Sequence, residues 1–160
     1  MTDDIISAAG ASGMHARQSG CGAQAMPLFA RYGALAGALA HIPLGQFPTP
    51  VEKLDRVGDR IGLDQLYIKR DDLSCAVYGG NKVRKLECLL GEALRRRASR
   101  VATMGFAGSN HALATAVYAR QLGLQCTNFL LPQVNADYVR RNLLAAYAQG
   151  ARLRDRKSVV

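Results

Sequence analysis

The sequence contains no tryptophan, and aromatic residues make up only 6% of its 160 positions. Binding single-stranded nucleic acid by stacking needs aromatics interleaved with cations. Here the cations of "RRRASR", "VRR" and "RLRDRK" are scattered, and aromatics do not interleave with them. The net charge of +9 therefore reads as a solvated basic surface, and no nucleic-acid partner is expected. Apolar runs are also short. None is long enough to span a bilayer, so no membrane partner is expected. The first residues, "MTDDIISAAG", are acidic and lack the long apolar core of a secretory signal, which makes the cytoplasm the expected location. The four cysteines, at positions 21, 75, 88 and 126, form no C-x-x-C pair, and no histidine stands at ligand spacing from them. They read as reduced thiols, and no metal is expected. Nor is there an internal repeat.

What is present suits a globular chain: 49% hydrophobic and 21% charged residues. Residues 1–26 are rich in Gly, Ala and Ser and read as a loose leader. An Ala-rich stretch from Met26 to Leu44 holds room for a short helix. "FPTPVEKL" follows, where two prolines force an extended entry. A short helix is expected from Val51 to about Ile61, stopped by Gly62. "QLYIKRDD" reads as a strand ending at Arg70, and "LSCAVYGG" as a loop. From Asn81, a favourable N-cap, apolar residues recur at Val83, Leu86, Leu90 and Leu94 with helical spacing.

The remainder is rhythmic. "RVATM" is strand-like, "GFAGSN" a turn and "HALATAVYARQL" a helix stopped by Gly123. "QCTNFLL" is the next strand. "NADYVRRNLLAAYAQ" is a helix, with Val139, Leu143, Leu144 and Tyr147 expected on one apolar side. Gly150 ends it, and "ARLR" begins another strand. Alternating strands and helices with short links predict right-handed βαβ units, an α/β fold with an open parallel sheet and flanking helices.

Two short stretches carry candidate chemistry. In "YGGNKVRKLE", Lys82 opens a helix, where the exposed amide groups present partial positive charge. Lys85 lies three residues on and shares its face. Both disfavour an ammonium and favour the neutral amine, the form that attacks an aldehyde. Gly79 and Gly80 are expected to let the backbone approach a bulky group closely. A helix-start lysine that points into water is the plainer alternative, and spacing alone leaves it open. In "GFAGSNH", Gly105 to His111, a strand gives way to a helix. Ligands of parallel α/β sheets bind at such strand ends, and helix N-termini attract anions. Ser109, Asn110 and the first helix amides suit a carboxylate, or Ser109 and Asn110 are ordinary caps. The glycines do not match the dinucleotide fingerprint.

Taken together, "LYIKRDDL", "GGNKVRKLE" and "GSNHALATA", in this order and spacing, resemble the D-cysteine desulfhydrase and 1-aminocyclopropane-1-carboxylate deaminase family. "FPTPVEKL" is similar to that family's entry segment, and the resemblance covers roughly residues 42–153. These are pyridoxal-phosphate enzymes of the tryptophan-synthase-β type, fold type II. The resemblance implies that Lys82 holds pyridoxal 5'-phosphate covalently, with Asn81 shaping its loop and Lys85 near the phosphate. It implies that Asn110 hydrogen-bonds the pyridoxal ring oxygen, and that Ser109, Asn110 and His111 cradle a substrate carboxylate. Ser109 is also implied in proton transfer, which makes Lys82 and Ser109 the candidate catalytic pair. The implied reaction converts a small amino acid to a keto acid and ammonia, with sulfide from D-cysteine. Two alternatives are a cysteine-synthase-like β-replacement and a non-catalytic basic interaction fragment. Many relatives carry glutamine where Gly108 stands, and "SCAVY" is not their commonest loop.

Relatives are roughly twice as long, and homodimers are common among them, so a homodimer is expected of the full-length protein. The resemblance therefore implies an N-terminal fragment, with residues 27–97 from the large cofactor domain and 98–154 a βαβαβ part of the small one. The cofactor's phosphate loop would lie in the other half, so the 160 residues alone are expected to bind the cofactor poorly and to be inactive. The last six residues, "DRKSVV", depart from the family pattern and resemble the translation of a sequencing adapter. They are set aside as non-native.

Overall fold

The computed structural model describes residues 26–155. Residues 1–25 of the leader and residues 156–160 of the tail lie outside the described residues. The fold is built around three parallel strands, β3 (Arg100–Phe106), β4 (Gln125–Leu131) and β5 (Arg152–Asp155), in that order across the sheet. The register runs from Arg100 opposite Gln125 to Phe106 opposite Leu131, and then from Thr127 opposite Arg152. The strands are parallel because each is followed by a helix that carries the chain back: α5 (Asn110–Gln121) after β3, and α6 (Asp137–Ala148) after β4. Gly123 and Gly150 end these helices with φ of 71° and 80°, a conformation glycine adopts without strain.

Helix α5 is the centre of the core. Every residue from Ala112 to Ala119 is buried, so this helix has no solvent stripe over that length. Its alanines let α4 (Lys82–Arg95) close on one side and α6 on another, while Tyr118 is wholly enclosed. Val83, Leu86 and Leu90 of α4 enter the same core, at the helical spacing the sequence shows. On β4, Cys126, Asn128 and Leu130 are buried, and the residues between them only partly so.

Helix α6 turns differently from the expectation. Val139, Asn142 and Ala146 are buried, while Leu144 is 63% and Tyr147 72% exposed. Position 146 carries a small side chain that admits close packing on α5, and position 142 carries an amide with partners on the β3–α5 turn. Those contacts outweigh the larger apolar side chains in setting the helix face.

Two short helices, α1 (Pro27–Arg31) and α2 (Leu35–Ala38), occupy the Ala-rich stretch. The helix expected from Val51 begins instead at Asp55: α3 spans Asp55–Ile61, and Gly62 stops it with φ of 69°. Val51–Lys53 forms β1, which pairs antiparallel with β2 (Tyr67–Lys69). Pro50 and this pairing hold the backbone extended, and Leu54 N–H, bonded to the Leu66 carbonyl, marks the strand's end. A buried carboxylate ties the entry segment to α4. Glu87 is 3% exposed and accepts from the Leu44 and Gly45 amides at 3.0 Å each and from His41 Nε2 at 3.2 Å.

Candidate active site

The loop before Lys82 is fixed by its own backbone. A side chain on Gly79 would place Cβ 2.0 Å from the Asp72 carbonyl oxygen, and Gly80 has φ of 117°. Gly79 thus serves the packing of the loop itself and Gly80 its reversal, while the space beside Gly80 is open, as the expected approach of a bulky group requires. Gly80 N–H donates to the Asp71 carbonyl at 2.7 Å and lies 3.0 Å from Ser74 Oγ. The fully buried Ser74 hydroxyl donates in turn to the Gly80 carbonyl at 3.1 Å. Asp71 itself is clamped: Arg84 donates to its carboxylate at 2.7 and 3.3 Å, and Thr49 Oγ1 at 3.0 Å. The Arg84 bonds, and then the Thr49 bond, hold the Asp71 carboxyl below its ordinary range against the opposing effect of burial. The Arg84 guanidinium lies 4.2 Å from the Phe47 ring centre, so the clamp also has an apolar floor.

Asn81 does not cap α4 with its side chain. Its backbone is already helical, with φ −64° and ψ −13°, and from there the side chain does not fold back onto the next amides. Its Oδ1 accepts instead from Lys82 Nζ at 2.7 Å. Lys82 is half-buried and Lys85 exposed, both at the N-terminal end of α4.

The turn after β3 is held as firmly. Ala107 N–H donates to the Leu131 carbonyl at 3.0 Å, and Ser109 N–H to the Phe106 carbonyl at 2.9 Å. Ser109 is a true N-cap of α5: it has extended backbone angles, and Oγ accepts from Ala112 N–H at 3.2 Å. That bond uses an acceptor lone pair and leaves the hydroxyl hydrogen for another partner. Asn110 is exposed. Its Oδ1 accepts from Asn142 Nδ2 at 2.8 Å and faces the Tyr78 hydroxyl at 3.5 Å.

His111 ties the two ends electrostatically. Burial, then Lys82, then Lys85 lower its pKa, so the two α4 lysines act on the first turn of α5. The neutral ring that this favours keeps an acceptor nitrogen. Nδ1 is buried without a hydrogen-bond partner, which among the described residues is true of no other buried side-chain nitrogen or oxygen. Tyr78 strengthens the junction, since its carbonyl accepts from the Tyr118 hydroxyl at 2.7 Å. The starts of α4 and α5 are thus neighbours at the carboxyl end of β3, where ligands of such sheets bind. Lys82, Asn81, Lys85, Ser109, Asn110 and His111 all belong to those two helix starts.

Residues that sequence reading passed over complete the site's frame. They are Tyr78, Tyr118, Gln133, Tyr138 and Asn142. One of them had a visible signal: Asn142 is a polar residue in helical register with Val139 and Ala146. The others lie far apart in sequence, and nothing local marks them. A wider groove flanked by Arg120, Arg152 and Arg154 lies at the opposite end of α5, away from this chemistry.

The arrangement suits the cofactor that the sequence implies. It offers a primary amine at a helix start, a hydroxyl and an amide on the facing turn, and an imidazole nitrogen awaiting a partner. Residues 42–157 match the sequence profile of the family described as pyridoxal-phosphate dependent enzyme. The chain is similar to a nocardicin C-9' epimerase from Nocardia uniformis subsp. tsuyamanensis, with 44% identity over 117 residues, 73% of this chain and 35% of that protein. It is also similar to a D-cysteine desulfhydrase from Yersinia enterocolitica, with 46% identity over 95 residues, 54% of this chain and 28% of that protein. The crystal structure of a homologue of 1-aminocyclopropane-1-carboxylate (ACC) deaminase superposes with a TM-score of 0.65 at 37% identity. That superposition covers 76% of this chain and 36% of the other. The chain spans about a third of the length of these curated relatives. With the parallel sheet and flanking helices in place, the chain belongs to the pyridoxal-phosphate dependent enzymes, in the fold of the ACC deaminase homologue.

Proposed function

We propose that the protein is a pyridoxal-phosphate lyase or deaminase. Its substrate would be a small amino acid of the D-cysteine or 1-aminocyclopropane-1-carboxylate type, and its products a keto acid and ammonia, with sulfide from D-cysteine. The observation that carries this reading is the junction of the α4 and α5 starts, where Lys82 and Lys85 act on a buried His111 nitrogen that lacks a partner. When bound, pyridoxal phosphate supplies an electron sink that lets a bond at the substrate α-carbon break. Lys82 is the residue to hold it, and its contact with Asn81 Oδ1 orients the amine. Lys85 adds a cation for the phosphate. Ser109, His111 and the first α5 amides receive the substrate carboxylate, a site favoured by the helix start. The Ser109 hydroxyl, held by its capping bond, would move a proton. Residues 27–97 would then be part of a large cofactor domain and 98–154 part of a small one. A cytoplasmic homodimer completes the proposal.

A second reading is favoured by the similarity to the epimerase, 44% identical over 117 residues. There the α-proton is removed and returned on the other face, with no ammonia released. The two readings part in deuterium oxide: an epimerase labels recovered substrate, whereas a deaminase yields ammonia.

The direct test of the proposal is covalent trapping. The protein is mixed with pyridoxal phosphate, reduced with borohydride, digested and read by mass spectrometry. The cofactor is expected on Lys82 and absent from Lys82→Ala. Labelling spread over surface lysines, unchanged in that variant, would sink the proposal. Turnover is compared between the 160 residues and the same residues joined to the remainder of a D-cysteine desulfhydrase. We expect ammonia and sulfide from the joined protein alone.

A further inference from the structure

The amide side chains on the β3–α5 turn form a chain whose direction is fixed at one end. Gly108 O is a backbone carbonyl and only accepts. The Asn142 atom 2.9 Å from it must therefore be the amino group. That amino group also lies 2.8 Å from one side-chain atom of Asn110, which must then be the carbonyl oxygen. The Asn110 amino group is consequently the end turned away from α6. Asn142 has two N–H hydrogens and two acceptors, so both are used. It is 9% exposed, which keeps water from competing for them.

The glycine at 108 permits this contact. A Cβ there would lie 2.8 Å from Tyr138 Cε2 and 2.9 Å from Val139 Cγ2, pushing the first turn of α6 off the β3–α5 turn. The Gly108 amide is held as well, donating to Gln133 Oε1 at 2.9 Å, while Gln133 Nε2 donates to the Tyr138 hydroxyl. Both polar groups of Gly108 are thus read by side chains from the β4–α6 segment.

We propose that Asn142 is a positioning residue that sets the orientation of the Asn110 carboxamide, so that Asn110 presents a donor to an anionic oxygen in the site. Its bearing on the cofactor ring oxygen rests on the function proposed above. The orientation itself does not, and the experiment separates them. Asparagine side-chain amides are followed by nitrogen-15 NMR in protein without cofactor, with Asn110 assigned through Asn110→Ala. Asn142→Leu keeps the volume and removes the donor. It is expected to collapse the Asn110 pair toward free-amide shifts. Val139→Ala, a packing change one turn away, is expected to leave that pair in place. An Asn110 pair unmoved by Asn142→Leu overturns the proposal. If Asn142→Leu fails to fold, Asn142→Ser is read in its place.

The second measurement is pyridoxal-phosphate affinity in a double-variant cycle, made on these residues joined to the remainder of a D-cysteine desulfhydrase. Asn142→Leu and Asn110→Ala are each expected to weaken binding by about tenfold, the loss of one hydrogen bond to a charged group. The double variant should match Asn110→Ala alone, because Asn142 acts through Asn110. Additive losses would assign Asn142 a merely structural part and overturn its action on the site. A protein whose cofactor binding ignores Lys82→Ala would instead defeat the functional reading, and the NMR result would stand.

Discussion

In α5 every residue from Ala112 to Ala119 is buried, whereas between Val51 and Leu73 Gly58 alone is. The difference does not come from a shortage of apolar residues. Val51 is 60% exposed, Ile61 58% and Leu63 51%. It comes from topology. A βαβ unit carries its own covering helices, so β3, β4 and β5 receive α5 and α6 as the chain is laid down. A two-stranded antiparallel pair has no such cover and little stability of its own. The segment from Val51 to Leu73 is secured by polar contacts instead, including Arg70 to Glu52 at 2.8 Å and Arg84 to Asp71 at 2.7 Å. The sheet shares the lesson on its second face, where Met104 is 57% and Phe106 58% exposed. Burial here follows which elements share a layer, not local composition.

The sharpest way to break that comparison is a matched pair of truncations. Leu86→Ala, at 1% exposure, is expected to lose roughly 2–5 kcal/mol. Val57→Ala, at 48% exposure, should stay within about 0.5 kcal/mol in the same chemical denaturation experiment. Similar losses at both sites would show that the Val51–Leu73 segment packs against more than its neighbours here.

A smaller effect is expected where the two layers meet at the site. Gly108→Ala sets a methyl group against Tyr138 and Val139, an overpacking that costs about 1–3 kcal/mol. It should move the Asn110 resonances as Asn142→Leu does, while a change in stability without that movement would separate packing from orientation.

The smallest effect tests the polar fastening. The Asp71 carboxyl has a lowered pKa in the folded protein, so the folded state binds its proton less readily than the unfolded state does. Its stabilising contribution is present above the unfolded carboxylate pKa of about 4 and is lost as pH falls through the folded value. Because Arg84 and Asp71 are 40% and 26% exposed at their side chains, solvent screening keeps it under about 1 kcal/mol. Asp71→Asn should flatten the acid limb of the stability curve and leave the alkaline limb unchanged. An unaltered acid limb would mean that the clamp contributes nothing measurable.

Much of the second half is legible in the sequence alone. Strand and helix alternate from Arg100 to Arg154 as the sequence predicts, because period-2 and period-3.6 patterns there agree with the turn residues, and β5 runs one residue further, to Asp155. Gly62, Gly123 and Gly150 stop their helices in the left-handed conformation. The helix expected from Val51 rests on the helical composition of "VEKLDRVGDRI", whereas the pairing with Tyr67–Lys69 that makes Val51–Lys53 a strand lies beyond any local window. At Gly79 the requirement for glycine comes from the Asp72 carbonyl, which only the folded loop brings near, and at Gly80 from a positive φ. Leu144 and Tyr147 have the size of core residues, but the partners of the Asn142 amide turn α6 so that Val139, Asn142 and Ala146 are buried instead.

By itself, the sequence determined the alternation of strands and helices, the two helix starts that carry Lys82 and Ser109, and the family to which they belong. The first two are local matters of period and motif, settled within a few turns of chain, and the family rests on the order and spacing of such motifs along residues 42–157. The tertiary structure alone decided that these helix starts lie together, that His111 Nδ1 is left without a partner, and that Asn142 turns the Asn110 carboxamide. Each of these depends on side chains that meet across more than two dozen residues or on solvent excluded by a neighbouring helix, and neither is encoded in any one stretch of sequence.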